Sequence, residues 1–287
     1  MSNPVFNQLE TQWKRQAPAP TSSSASGGAP GSTPGAPMYD QQAFNQAQVS
    51  YNAPAADAVA MGRMTYDDVI VKTAASLALA IGAAAVGWFA SAAVPSVGMP
   101  LMLVGFVGGL IFAMVNIFSK TVRPALVLLY AALEGLALGT LSFVVNSALP
   151  GVVVQAVVAT FAVFLVTLAL FASGKVRNSP KLQKFALISL LGIILARVLI
   201  WLLALTGVSM GGAGGPTLMG IPLGVLLSFF AVFIGAVCLI SDFDQVRIGV
   251  ERGVPAKYSW MSAFGIMVTL VWLYVEILNI LSYMNSR

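Results

Sequence analysis

The sequence carries carboxylates inside long apolar stretches, where such side chains can do chemistry. Asp242 directly follows an apolar run, and Glu276 lies within another. A charged side chain at the middle of a membrane costs about 2.5–3.5 kcal/mol, so such a residue must find a partner or serve a function. Carboxylate oxygens bind hard cations such as calcium in preference to zinc or copper. Asp242 and Glu276 therefore predict a site that binds calcium, protons or both.

Helical periodicity predicts that these two carboxylates lie on facing polar stripes. The stripes are Ser228, Gly235, Asp242 and Gln245 in one segment, and Thr269, Glu276, Asn279 and Tyr283 in the next. A short loop joins the two segments, so the stripes are expected to meet. At a separation of a few ångströms the two carboxylates would share a proton near neutral pH and take up a hard cation when both ionise.

The depths of the two carboxylates constrain this pairing. Asp242 lies near one end of its segment, whereas Glu276 lies about 24 Å along the last apolar segment. The two can meet only if the last helix begins early, around Val254–Lys257. Asp244 is predicted to be a loop charge that faces water near Arg247.

Two further ionisable residues, Glu134 and Arg197, lie inside apolar stretches. Counted from predicted helix starts at Pro124 and Phe185, they lie about 15 Å and about 18 Å from the same membrane face. The similar depths predict an ion pair, which would either hold two helices together or belong to an ion path. Glu276 has Glu134 or Arg197 as an alternative partner at mid-depth.

The composition requires lipid as the solvent for most of the chain. Of the 287 residues, 58% are hydrophobic and 9% are charged, against about 25% charged residues in a typical soluble domain. The net charge of +5 would suit nucleic acid, but the basic residues lie in short loops between apolar segments. The bilayer is therefore an expected partner and nucleic acid is not.

The residue types that are missing exclude several function classes. The chain has no histidine, so no imidazole can bind zinc or relay a proton, and any pH response falls to carboxylates. The single cysteine, Cys238, excludes an internal disulfide and a thiolate metal cluster. No His-Glu-x-x-His motif and no Ser–His pair exists, so we expect neither an enzyme nor a required cofactor.

The apolar segments predict an all-α protein with a seven-helix transmembrane domain over residues 65–287, since each is near the roughly 20 residues that cross a bilayer. They are Val69–Val94, Val97–Phe118, Pro124–Val145, Gly151–Ala172, Phe185–Leu205, Thr217–Ser241 and Trp260–Tyr283. Glycine pairs that predict close helix packing are Gly105 and Gly109, Gly135 and Gly139, and Gly220 and Gly224. Residues 1–64, rich in Pro, Ser, Gly and Ala, are predicted to form a disordered cytoplasmic tail.

The distribution of basic residues predicts the orientation. Lysine and arginine follow the second, fourth and sixth segments, as Lys120 and Arg123; Lys175, Arg177, Lys181 and Lys184; and Arg247, Arg252 and Lys257. The loops after the first, third and fifth segments hold none. The positive-inside rule therefore places the N-terminus in the cytoplasm and the C-terminus outside, across the plasma (inner) membrane.

The same residues carry a resemblance to a known family. Ser241-Asp242-Phe243-Asp244-Gln245-Val246 resembles the Tyr-Asp-Phe/Thr-x-Gln-Ile signature of the Bax inhibitor family, in a bacterial branch. Leu273–Asn279 resembles the Leu-Tyr-x-Asp-x-x-Asn run of its final helix, and Glu134-Gly135 with Gly139 resembles its third-helix pattern. The resemblance covers residues 64–283. It implies a bundle around a central last helix, and a calcium-permeable leak gated by pH through a carboxylate pair, here Asp242 and Glu276.

The sequence departs from the family pattern at two points. Glu276 stands where family members often have aspartate, which lengthens the side chain but keeps its chemistry. A basic residue near the end of the second helix pairs with the carboxylates in some relatives, and only Lys120 and Arg123 lie there in this chain.

Two other functions stay open beside the leak channel. One is a regulatory protein that modulates a membrane protease or a secretion channel without transporting ions, contacting this membrane protein partner through its tail and basic loops. The other is a coupled exchanger of cations and protons, which only the stoichiometry of transport distinguishes from a channel.

Overall fold

The computed structural model describes residues 61–119, 122–175, 178–205, 217–218 and 221–286. These ranges fold into helices α1 (Tyr66–Ala93), α2 (Pro95–Phe118), α3 (Pro124–Ala148), α4 (Val152–Ala172), α5 (Pro180–Leu205), α6 (Leu223–Glu251) and α7 (Ser259–Asn285). The prediction of an all-α, seven-helix membrane bundle is confirmed. Residues 1–60 of the predicted tail lie outside the described residues, and the disorder of the tail stays a prediction.

The outer surface of the bundle is apolar. All seven helices are long and apolar enough to cross a membrane. Large apolar side chains point outward along them, including Ile70, Phe118 and Ile188 at 63%, 79% and 70% exposure. Water does not favour so continuous an apolar surface, whereas lipid chains do. The protein is therefore an integral membrane protein.

The start of α6 differs from its prediction. The helix begins at Leu223 rather than Thr217, because Thr217–Leu218 (β1) and Ile221–Pro222 (β2) pair as two-residue antiparallel strands. Pro222 lies immediately before the helix, where its missing N–H leaves no donor unpaired.

The end of α6 lies ten residues beyond the predicted end at Ser241. The helix continues to Glu251 and the chain then turns at Gly253, whose φ of 60° lies in the left-handed region that favours glycine. Asp242 and Arg247 therefore belong to a helix, not to a loop, which moves Asp242 away from the helix end.

The last helix, α7, is the centre of the bundle, as the resemblance implied. It packs against α1, α3, α4 and α6, and Met267 and Leu273 on it are fully buried. A single 3-10 turn, Ala256–Tyr258, precedes its first residue, Ser259. Helical structure thus begins at Ala256, within the range Val254–Lys257 that a meeting of the two polar stripes requires.

Glycines let α1 pack closely on α3. A Cβ on Gly135 would collide with the backbone carbonyl of Ala80, and one on Gly139 with that of Ala84. The predicted packing role of this pair is confirmed. The role predicted for Gly224 is wrong, because nothing lies within 4 Å of the position of its Cβ, and Gly220 lies outside the described residues.

The segment before α1 is tied to the connection between α6 and α7. The Met64 N–H donates to the Val254 carbonyl at 2.7 Å, and the Ala256 N–H donates to the Gly62 carbonyl at 2.8 Å. The Met64 side chain is 2% exposed and belongs to the apolar core beneath this connection. Residues 62–64 therefore form a short strap, which we call the N-terminal strap.

Candidate functional site

The polar stripe of α7 faces α5 and α6. Thr269, Glu276 and Asn279 share one side of the helix because their spacings of seven and three residues are close to whole turns. Thr269 and Asn279 bond to side chains of α6, and Glu276 bonds to a side chain of α5. The predicted meeting of the polar stripes of α6 and α7 is confirmed by these contacts.

Glu276 is held by a cation and by an indole. One carboxylate oxygen forms an ion pair with the Arg197 guanidinium of α5. The other accepts a hydrogen bond from Trp272 Nε1 at 3.1 Å, one turn earlier on α7. The Glu276 side chain is 6% exposed, whereas that of Arg197 is 41% exposed. The carboxylate is therefore buried, and its partner reaches it from the edge of the bundle.

Ser228 of α6 joins this ion pair to Asn279. Its hydroxyl oxygen accepts from Arg197 Nη2 at 3.0 Å and from Asn279 Nδ2 at 2.8 Å. The same hydroxyl donates to the Gly224 carbonyl at 3.2 Å. Ser228 is fully buried, so a single small side chain fixes one residue on each neighbouring helix. We call Arg197, Ser228, Trp272, Glu276 and Asn279 the Glu276 cluster.

Asp242 has separate partners. Its Oδ2 accepts a hydrogen bond from the Thr269 hydroxyl at 2.8 Å, which holds the carboxylate against α7. Thr269 and Glu276 are seven residues apart, which is about 10 Å along the helix axis. Among the described residues, no side chain hydrogen-bonds to both carboxylates. Asp242 and Glu276 thus lie on one polar face, each held by its own partners.

The predicted Glu134–Arg197 ion pair is wrong, because Arg197 pairs with Glu276. Helix α5 begins at Pro180 rather than Phe185, and these five residues place Arg197 about 7.5 Å deeper than predicted. Arg197 is the 17th residue after Pro180 and Glu276 is the 17th after Ser259, so both lie about 26 Å along helices that start at the same face. Equal depth brings these two charges together.

Glu134 lies elsewhere in the bundle. It is on α3, is 9% exposed, and its carboxylate packs against Gly109 of α2. The described residues offer it no salt bridge. Glu134 is therefore a buried carboxylate that lies apart from the Glu276 cluster. Its role in an ion path stays a prediction.

Asp244 is buried, so its prediction as a water-facing loop charge is wrong. It is 5% exposed on α6 and pairs with Arg247 Nη2 at 2.6 Å, one turn later. The Arg247 guanidinium also lies 5.8 Å from the ring centre of Phe171 on α4. Because α6 extends past the predicted end, this ion pair belongs to the packed end of the bundle.

Lys72 is a residue that the sequence reasoning did not single out. Its ammonium group lies 3.3 Å from Asp68 and donates to the Ala256 carbonyl at 3.0 Å. It also lies 5.9 Å from the ring centre of Trp260. The four-residue spacing of Asp68 and Lys72 could have predicted this ion pair, because residues four apart are neighbours on a helix. Lys72 links the first turns of α1 to the start of α7.

A cavity of about 390 Å³ adjoins the Glu276 cluster. Arg197 and Asn279 line its inner end, and Tyr283 and Ser286 line it near the end of α7. The cavity therefore connects the cluster with the membrane face at which α7 ends. Among the described residues, no group of three or more acidic, cysteine or histidine side chains is placed so that it could hold a metal ion.

Comparison with known families identifies the family of this chain. The family model described as Bax inhibitor 1 like matches residues 3–286. The chain belongs to the Bax inhibitor family. The resemblance that the sequence motifs carried is confirmed, and the match also extends over most of the N-terminal region that the resemblance left out. A search of curated proteins finds no match to the chain.

In this member of the Bax inhibitor family, the two signature runs lie on the two helices that carry the polar stripes. Asp242 belongs to the run on α6 and Glu276 to the run on α7. Of the two basic residues expected near the end of the second helix, Lys120 lies outside the described residues and Arg123 is exposed before α3. The guanidinium that contacts Glu276 comes from Arg197 of α5 instead.

Proposed function

We propose that this protein is a pH-sensitive, calcium-permeable leak channel whose ion path passes Asp242 and Glu276. The observation that carries the proposal is the pair of carboxylates on one polar face between α6 and α7, each held by one or two side chains. Membership of the Bax inhibitor family supports a membrane protein linked to ion leak. Two separate carboxylates would each bind calcium weakly. Weak binding suits passage of the ion, because a conducting site must release its ion as readily as it binds it.

Arg197 acts as an internal cation in this mechanism. Its guanidinium neutralises Glu276 when no calcium is near, which lowers the cost of burying that carboxylate. A calcium ion that reaches Glu276 must displace the guanidinium. The Arg197 side chain is 41% exposed and lines the cavity, so the guanidinium has space beside it into which it can move.

Protons and calcium compete for the same carboxylate oxygens. A protonated carboxyl group loses the charge that attracts calcium, and a protonated Glu276 leaves the Arg197 charge unneutralised in the path. Both effects oppose the passage of a cation. Calcium flux is therefore expected to fall as pH falls, and the carboxylates at Asp242 and Glu276 supply the pH dependence in a chain without histidine.

We assign the orientation from the loop charges. The basic residues after the even-numbered helices place the N-terminus in the cytoplasm and the end of α7 outside, in the plasma membrane. In this orientation the cavity beside Arg197 opens toward the outside. The Asp242–Thr269 contact lies nearer the cytoplasm, so an ion entering from outside meets Glu276 first.

Calcium flux into liposomes that contain the purified protein tests the proposal, measured from about pH 5.5 to about pH 8.5. The wild type is compared with Asp242→Asn and Glu276→Gln, and with Glu251→Gln as a control on α6 whose side chain is 63% exposed. We expect flux that depends on pH in the wild type and the control, a weaker pH dependence in each variant, and a flat profile when the two substitutions are combined. Unchanged pH profiles in both variants would exclude the mechanism.

The N-terminal strap favours a second function, that of a regulatory partner without transport. A protein bound to the N-terminal region would pull on Met64, which the strap joins to the α6–α7 connection. Under this function no calcium flux occurs at any pH, deletion of residues 1–60 removes the cellular activity, and the Asp242→Asn variant keeps it. Flux from the purified protein alone argues against it.

A further inference from the structure

A second cavity, of about 520 Å³, lies on the other side of α7 from the polar stripe. Its inner wall is formed by Met267 and Tyr274 of α7, with Gly139 of α3 behind them. Tyr274 is two residues from Glu276, which turns it through about 200° to the opposite face of the helix. This cavity is therefore separate from the Glu276 cluster, although the same helix borders both.

The cavity opens sideways, toward lipid. Ile81 of α1 and Val157 of α4 line it and are also 61% and 40% exposed on the outer surface. Phe89 and Phe161 extend the same rim. Since α1 and α4 both cross the membrane, a gap between them at these positions faces the hydrocarbon of the bilayer and not water.

The chemistry of the lining selects an apolar ligand. The residues described around the cavity include no charged side chain. Its hydroxyl groups are already bonded within the protein: Tyr274 lies 2.6 Å from Ser142, Ser142 donates to the Leu138 carbonyl, and Thr160 donates to the Ala156 carbonyl. A ligand with polar groups would lose its hydration here without gaining partners.

We propose that this cavity binds one acyl chain of a membrane phospholipid. The surrounding bilayer supplies that ligand at the opening, and the cavity volume falls in the range of small-molecule sites, about 300–1,000 Å³. A free fatty acid would gain no ion pair for its carboxylate here, because the last turn of α1 holds no basic residue. A phospholipid loses nothing by this, since its headgroup and second chain stay in the surrounding bilayer.

The first test is native mass spectrometry of the purified full chain titrated with palmitoyl-oleoyl phosphatidylethanolamine. A double variant, Ile81→Trp with Val157→Trp, narrows the opening. The matched control is Val86→Trp with Val158→Trp, on the same two helices at 61% and 63% exposure but outside the lining. We expect one saturable lipid in the wild type and the control, and binding at least about tenfold weaker in the narrowed variant.

Two outcomes of this titration would overturn the proposal. Equal lipid binding in both double variants would mean a general lipid shell, and tighter binding of oleic acid than of the phospholipid would assign the cavity to free fatty acid. Fluorescence adds a readout without bulky substitutions. Phospholipid brominated along its chain should quench Trp88, which lines the cavity, and the saturable part of the quenching should vanish in Trp88→Phe. Saturable quenching that persists in Trp88→Phe contradicts the site.

Discussion

Arg197 and Glu276 form an ion pair between α5 and α7 at equal depth in the bundle, each 17 residues after the start of its helix. Helix α5 packs mainly on α6, so Arg197 reaches past α6 to meet the central helix, with Ser228 as its support. The cation that neutralises the buried carboxylate is thus carried by a peripheral helix.

Replacing Arg197 with glutamine is expected to raise calcium flux. Under the proposed function, the substitution removes the cation that competes with calcium for Glu276. We expect an increase of about tenfold, equivalent to about 1.4 kcal/mol, in the liposome assay at neutral pH. Arg123→Gln, which changes an exposed charge before α3, is the control and should leave flux unchanged. A fall in flux with Arg197→Gln would mean that the guanidinium assists passage.

The Arg197–Glu276 pair should also show coupling in stability. Hydrogen bonds to charged groups contribute about 1.5–3 kcal/mol, and the 41% exposure of Arg197 favours the lower end. We expect Glu276→Gln and Arg197→Gln to cost less together than the sum of their separate effects. A double-mutant cycle of unfolding in detergent micelles measures this coupling. Additive effects would show that the pair contributes nothing to stability.

The sequence predicted the helix count because lipid imposes a minimum apolar length on every crossing. It could not predict where α6 ends, since hydropathy stops at Ser241 while the helix continues through polar residues. Arg247 bonds to Asp244 and lies 3.7 Å from Glu251, spacings of three and four residues that support a helix without apolar character. The end of an apolar run is therefore not the end of a helix.

The candidate site was predicted only in part, because it too depends on where the helices begin. Periodicity within one helix placed Asp242 and Glu276 on polar stripes, and that placement holds. The partner of Arg197 depends on the start of its helix and on which helices are neighbours. Helix α5 starts at Pro180, five residues before the predicted start, and this difference makes Glu276 the partner of Arg197 in place of Glu134. No pattern within α5 alone shows which carboxylate lies at the depth of Arg197.

Close packing of α1 on α3 predicts a large effect at Gly139. Gly139→Ala places a methyl group against the backbone carbonyl of Ala84, which cannot move aside as a side chain can. Overpacking of this kind costs about 1–3 kcal/mol. Gly82→Ala is the matched control within α1, because nothing lies within 4 Å of its Cβ position, and it should be neutral or up to about 1 kcal/mol stabilising. Thermal unfolding in micelles compares the two, and equal effects would contradict close packing.

The N-terminal strap predicts different roles for two methionines three residues apart. Met64 is 2% exposed and packs among Leu239, Leu270 and other core residues, whereas Met61 is 47% exposed. Met64→Ala would leave a cavity where α6, α7 and the strap meet. We expect a loss of about 2–5 kcal/mol in the free energy of unfolding for Met64→Ala, and almost none for Met61→Ala.

Protease sensitivity separates this strap from a freely attached tail. Loss of Met64 packing should also weaken the backbone bonds to Val254 and Ala256, since the side chain and these bonds hold the same three residues. Limited proteolysis of the purified protein should therefore cut Met64→Ala near Arg63 faster than it cuts the wild type or Met61→Ala. Equal cutting in all three proteins, with equal unfolding temperatures, would mean that residues 62–64 do not hold the N-terminal region to the bundle.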